Sequence, residues 1–479
     1  MSRRLLRSGS RWLLRWLYLI HRWIGIATCL LFAIWFISGV VMMYVAFPGL
    51  SEDERRGFLP ALDWPAVQLA PDAALRLVGQ QDWPRSLRLE MLGAEPVYRV
   101  QPYSGAALAL SARDGRVIQD VSAAEAEAAM QMRFPAARFV ETVERDQWSV
   151  TARFNPHRPL HVLALNDAAH TELYVSAVSG EIVLDTTRRE RFWNWLGSIP
   201  HWIYFTPLRA DAPLWRDVVL WLSGISIVVA ASGIWIGIQR IRLRRRYARG
   251  RLSPYRGWML WHHWAGLIGS VTLLAWIVSG WISMNPNAWF SSRNLAPEAL
   301  QRYAAAPGLD FPLPLTAQAG VHELRFGWLG GQPVLQYLGP QGLLAISSVP
   351  TADHVLRAAR TLLPMARPVL QEMLQAEDAY WYSHHHRRVL PVLRIGFDDP
   401  AATWFHIDPR NGDILGSMDA TRRGYRWWFN ALHSFDFAFL RHYPPTWEIV
   451  LWGFSLIGLA ASASGVVIGW RRLQRKLSG

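Results

Sequence analysis

The sequence predicts a membrane α-helical bundle of four transmembrane helices, internally duplicated, that carries two external α+β domains. Three observations predict it. Four uncharged apolar runs, Trp23–Leu50, Val218–Ile238, Gly257–Asn285 and Ile449–Trp470, are each long enough to cross a hydrocarbon core, which takes about 20 helical residues. The runs repeat in pairs: residues 20–43 align without gaps on 261–284, and 215–238 on 447–470. Basic segments flank the same side of all four runs, which sets one orientation for the bundle.

The net charge of +14 is the sum of unlike regions. Residues 1–22 hold six arginines, 239–256 hold eight, and 471–479 hold three arginines and a lysine, with no acid in any of them. The rest of the chain is therefore slightly acidic. The charge reports topology rather than a nucleic-acid partner, and it places both termini and the central loop in the cytoplasm. The first run is too long for the core of a secretory signal, about 7–15 residues, and reads as an uncleaved anchor. The only cysteine, Cys29, lies inside that run, so no disulfide forms within the chain and no thiolate or iron–sulfur site is available.

Taken in order, residues 1–22 are a cytoplasmic N-terminus and 23–50 the first membrane helix. Residues 51–211 form an external region. Strand-like runs at 97–110, 112–118 and 172–185 are punctuated by Asp114-Gly115 and Ser179-Gly180, and the Ala- and Glu-rich stretch Ser122–Arg133 reads as a helix laid on the sheet. Helix two spans 212–239, a basic loop follows at 240–256, and helix three spans 257–285. Residues 286–445 repeat the external scheme, with Asp399 over Asp167 and Gly412 over Gly180 at a register of 232. Helix four spans 446–470 and a cytoplasmic tail closes the chain at 471–479. Two aromatic stretches, one before helix two and one before helix four, suit the headgroup zone and are turned into the membrane by Pro207 and by Pro444-Pro445.

The HRWxG entrance at His21, the run YWYSHHHRRVLPVLRIGFDDPAATWFHIDPRNGDIL, the segment LHSFDF and the closing SGVVIGWRRL resemble the PepSY-associated transmembrane proteins over essentially the whole length. The first copy departs from the pattern: it lacks the YSHHH run and has PHWIYF where the second has LHSFDF. The resemblance implies a bacterial inner-membrane protein with two periplasmic PepSY-like domains. It also implies an oxidoreductase of the ferric-siderophore reductase type, acting in iron acquisition.

Four histidines carry the chemistry. The registers that align the helices place His21 on His262 and His201 on His433, so each copy brings one histidine to each end of the bundle. A two-fold axis along the membrane normal would set each pair face to face, as a bis-histidine site for a b-type haem, two haems in all. Haem would be held non-covalently, since no C-x-x-C-H is present. His263 rivals His262; it aligns with Arg22, and adjacent helical positions point about 100° apart, so only one of the two can face the bundle. The small-x₃-small pairs Gly233/Gly237 and Gly465/Gly469 read first as close helix packing and only secondarily as clearance for a flat cofactor.

The run Tyr380, Tyr382, His384, His385 and His386 is external and unduplicated, with Ala152, Arg153 and Phe154 in the places of the three histidines. It reads as a solvated loop, a substrate contact or, least readily, a metal site, because three consecutive residues of a strand cannot all ligate one ion. Acids are missing from the apolar runs, which disfavours a proton-coupled transporter. The cytoplasmic pieces are too short to fold a nicotinamide or flavin domain, so electrons must come from a cytoplasmic protein or from quinol. The expected function is transfer of electrons across the bilayer to a periplasmic acceptor, by resemblance a ferric siderophore. The alternative is a non-redox membrane protein whose PepSY-like domains bind peptides or regulate a partner.

Overall fold

The computed structural model describes residues 2–292, 295–384 and 388–478. It divides into a helical unit (Met1–Phe47, Phe192–Ser291, Arg422–Gly479) and a sheet-rich unit (Pro48–Arg191, Ser292–Thr421).

In the helical unit, α1 runs Ser2–Tyr44, α2 Ala212–Arg240, α3 Trp258–Ile268, α4 Ser270–Ser283 and α5 Pro444–Leu477. The helix α1 packs on α2 and α5, α3 packs on α5, and α4 packs on α2. Polarity is inside out. Trp221, Val271 and Ile449 are 74%, 79% and 70% exposed, whereas Ser38, Ser226, Ser279 and Ser464 are at 1% or less. In water that arrangement would forfeit the hydrophobic driving force; in lipid it lets small residues bring the helices together.

Two expectations change here. The basic N-terminal segment does not precede the first helix but continues it, and the apolar span is Leu14–Tyr44, with residues 45–50 outside the helix. The third apolar run is not one rod: α3 and α4 meet at Gly269 at an angle of 68°. A Cβ on Gly269 would stand 3.0 Å from Ile457 Cγ2 and 3.1 Å from the Ala265 carbonyl, so the bend sits where glycine lets the chain pack closely against α5. The aromatic stretches form short helices, Ser198–Trp202 and Thr206–Arg209 in the first copy and Leu432–Ser434 and Ala438–Arg441 in the second. They belong to the helical unit rather than to the external regions in which the sequence placed them.

The sheet-rich unit holds three antiparallel sheets. Two are four-stranded, one from each copy, and each lies under a helix: Ala123–Gln131, closed by a Ser122/Glu125 capping box, and Ala352–Arg360, capped by Thr351. Val355, Ala358 and Ala359 bury against Leu393, Ile395 and Phe405 in the second of these. The third sheet was not expected. It joins both copies in the order Gly342–Ile346, Gln332–Gly339, Glu323–Leu329, Ser86–Leu92, Glu95–Gln101, Leu108–Ser111. Its central seam pairs Leu87 with Phe326 and Glu90 with Glu323. Pro48–Arg191 and Ser292–Thr421 are thus one compact unit, because each copy's hairpin covers the other's open edge. Glu90 and Glu323, both buried, are bridged by the buried Arg55. Arg99 Nε adds a bond of 2.9 Å to Glu90. The run at 112–118, read as a strand, contributes only an isolated bridge, Leu110 to Val117.

Candidate cofactor-binding site

The helical unit brings the four repeated histidines together in two pairs. The rings of His21 on α1 and His262 on α3 have centroids 6.2 Å apart, and those of His201 and His433, on the short helices, 6.1 Å apart. A metal–nitrogen bond of about 2.0 Å, with the nitrogen roughly 1 Å from its ring centre, puts two imidazoles on opposite sides of one ion with centroids roughly 6 Å apart.

Each ring is held through its Nδ1. His21 Nδ1 lies 3.0 Å from the Val229 carbonyl and His262 Nδ1 2.9 Å from the Ala461 carbonyl, positions 232 apart. A carbonyl only accepts, so both Nδ1 atoms carry the proton. At the other pair, the Ser38 hydroxyl donates to the Ile34 carbonyl (2.7 Å) and Ser279 to the Trp276 carbonyl (3.1 Å). The same hydroxyls lie 3.0 Å from His201 Nδ1 and 2.9 Å from His433 Nδ1. Each of the four imidazoles is thus held at Nδ1 by a backbone or side-chain oxygen, which leaves Nε2 as the nitrogen a metal would take, the arrangement of a metal-ligating histidine.

A glycine faces each ring. A Cβ on Gly233 would stand 2.5 Å from His21 Cε1, on Gly39 3.4 Å from His201 Cε1, on Gly465 3.5 Å from His262 Cε1, and on Gly280 3.7 Å from His433 Cε1. The small-x₃-small pairs thus divide their labour. Gly237 and Gly469 meet Leu267 and Ile26 at 2.9 and 3.1 Å and serve close packing, while Gly233 and Gly465 make room for histidine. The sequence shows the glycines but not which neighbour they clear.

A cavity of about 490 Å³ opens beside the first pair, lined by His21 and His262 and by six glycines that form three equivalent pairs, Gly25/Gly266, Gly233/Gly465 and Gly237/Gly469. That is the size range of a pocket for a small cofactor. Among the described residues no three histidine, cysteine or acidic side chains converge as a metal site. Two facing imidazoles beside a cavity with six glycines in its wall suit a planar macrocycle that brings its own in-plane donors. The residues fit a b-type haem.

His263 stands apart from this pair. Its Nε2 donates to the Gly237 carbonyl at 2.9 Å, and its Nδ1 lies 2.8 Å from Ser253 Oγ. Gly237 lies in the last turn of α2, where carbonyls lack intrahelical partners, so His263 caps that helix and ties down the following loop.

Residues 18–321, more than half of the chain, match the family model of the PepSY-associated TM region. The chain belongs to that family. Comparison with curated proteins finds no match. The PepSY-associated match includes His21, His201 and His262 and ends before His433.

The second candidate cluster lies in the sheet-rich unit. The backbone N–H groups of Tyr380 and Trp381 donate to Asp378 Oδ1 at 2.8 and 2.7 Å, Tyr380 packs edge-on to Trp404, and Tyr382 packs edge-on to His384. His385 and His386 lie outside the described residues. Sequence reasoning missed what anchors this loop. Trp381 stacks on His406 at 4.6 Å, and Arg394 donates from Nε to His406 Nε2 and from both Nη atoms to Asp378. Burial and the Arg394 guanidinium push His406 down to about 4. The repeat offers the signal: Asp378 aligns with Asp146, which holds the equivalent loop through Ser149 and the Tyr174 hydroxyl.

Proposed function

We propose that this PepSY-associated protein is a di-haem b electron carrier that spans the bacterial inner membrane, with both termini in the cytoplasm. His21 and His262 would hold one haem toward the cytoplasm, and His201 and His433 the other toward the periplasm. A haem b held by these histidines would supply one-electron redox chemistry. The observation that carries the reading is that all four imidazoles are held at Nδ1 by an oxygen and both pairs have the separation one ion requires.

The protein's own residues do the rest. Val229 and Ala461 carbonyls at one end, Ser38 and Ser279 hydroxyls at the other, hold each ring in orientation. The lipid-facing apolar shell excludes water from the path between the pairs. The donor is a cytoplasmic protein or quinol. The acceptor, on the strength of the sequence resemblance, is a ferric siderophore in the periplasm, reduced so that its iron is released. The loop with Tyr380, Tyr382 and His384 would meet that acceptor.

The test is an absorption spectrum of the full chain purified in detergent from haem-replete cells, with acid–acetone extraction. About two extractable b haems per chain are expected. A colourless, folded protein would transfer the case to a non-redox module that binds peptides or a partner. If haem is present, stopped-flow reoxidation of the reduced protein by a ferric siderophore tests the acceptor.

A further inference from the structure

We propose that Arg22, Arg240 and Arg472 form an anion seat for the two carboxylates of the group held between His21 and His262. The inference rests on the haem reading above and names the residues that orient the group in its slot. All three arginines line the same cavity as the histidine pair. Arg240 and Arg472 are equivalent by the repeat register of 232. Each lies seven residues beyond the glycine that faces a histidine, Gly233 or Gly465, so about two helical turns along and on the same face, roughly 10 Å away. Arg22 adjoins His21 and is unduplicated, since His263 stands in its place.

No carboxylate of the helices can neutralise this cluster. Residues 1–51, 218–297 and 449–479 contain no aspartate or glutamate. The side-chain partner of Arg240 is the Tyr18 hydroxyl, 2.6 Å from its Nε, with the guanidinium lying over the Tyr18 ring at 5.1 Å. Three cations on the wall of a cavity whose lining includes no carboxylate attract an anion among them. Guanidinium pairs with carboxylate through two parallel bonds, which fixes orientation as well as position. Two equivalent arginines match a ligand with two carboxylates, as haem b has. The competing role is attraction of lipid phosphates to arginines that reach the membrane surface.

The experiment uses the purified holoprotein carrying His201→Ala, so that haem at the inner site is read alone. Transfer of haem to apomyoglobin gives its rate of loss, and a redox titration gives its midpoint potential. Arg240→Gln/Arg472→Gln should speed haem loss on the order of 10- to 100-fold. It should also lower the potential, because removing cations disfavours the electron-rich state. Arg240→Lys/Arg472→Lys should restore the potential more fully than the loss rate, since it keeps charge but not the fork. Arg22→Gln alone, a milder change, covers the case in which the double variant fails to fold. Unchanged loss rate and potential overturn the seat. So does a variant that loses co-purified anionic phospholipid but keeps haem as the parent does. A His201→Ala parent without haem at the inner site is a failure of the haem reading instead, and is told apart at the first step.

Discussion

Gly233 faces His21 so closely that a Cβ there would stand 2.5 Å from the ring's Cε1, whereas its repeat partner Gly465 leaves 3.5 Å to His262. The two halves of one pair are therefore held with unequal slack. A methyl group at the first position must displace the imidazole or α2; at the second it makes an ordinary contact.

Gly233→Ala should accordingly cost about 1–3 kcal/mol and disturb the ligand at His21, while Gly465→Ala should be tolerated. Haem content and the low-temperature α-band of the two variants, side by side, check this. Equal effects would show that His21 has room to move aside.

At the other pair, Ser38→Ala or Ser279→Ala removes the hydroxyl that lies 3.0 Å from His201 Nδ1 or 2.9 Å from His433 Nδ1. Loss of such an orienting partner typically weakens a metal–histidine site about 10- to 100-fold. The expected outcome is partial loss of one haem with the other retained, read as haem per chain after dialysis.

In the sheet-rich unit, Arg55→Met should destabilise by about 1–3 kcal/mol, because it removes the arginine that bridges buried Glu90 and Glu323 and leaves them to Arg99 and Arg325. Chemical unfolding of the full chain in detergent, followed by tryptophan fluorescence, measures it. Adding Glu90→Gln and Glu323→Gln should recover part of the loss.

Asp185 gives the unit a pH dependence. Burial, with Glu54 and Glu190 nearby, raises its carboxyl to about 7. The folded state holds the proton more tightly than the unfolded chain, so stability is greatest below the ordinary carboxylate range and is lost as pH rises from about 4 to 7. Asp185→Asn should flatten that decline and stabilise at pH 8 by roughly 2 kcal/mol, allowing for partial exposure. Melting curves at pH 5 and pH 8 check the sign.

The parts legible in the sequence are those set by local pattern. The apolar runs, the Ser122 cap, the turn glycines at 115 and 180 and the alignment of the four histidines all follow from spacing along the chain. What escaped depends on contacts between distant segments. The pairing of Glu90 with Glu323 joins strands more than 200 residues apart, and neither strand's alternation names its partner. The choice between His262 and His263 turns on which carbonyl each reaches, Ala461 or Gly237, and only packing decides that. Gly269 looked like any helix glycine, yet it marks a sharp bend.

One feature of α1 sets a length scale for the whole helical unit. His21 and Ser38 ride on the same uninterrupted helix, seventeen residues or about 26 Å apart along its axis, and Ser38 holds His201 of the opposite pair. The interval between the two histidine pairs is thus written into one covalent rod rather than into the fit of separate parts. Side-to-side breathing of neighbouring helices can loosen either pair, but it cannot stretch the gap between them. If the pairs carry electrons as proposed, such a rod would work as a gauge block, setting the span of the jump between them.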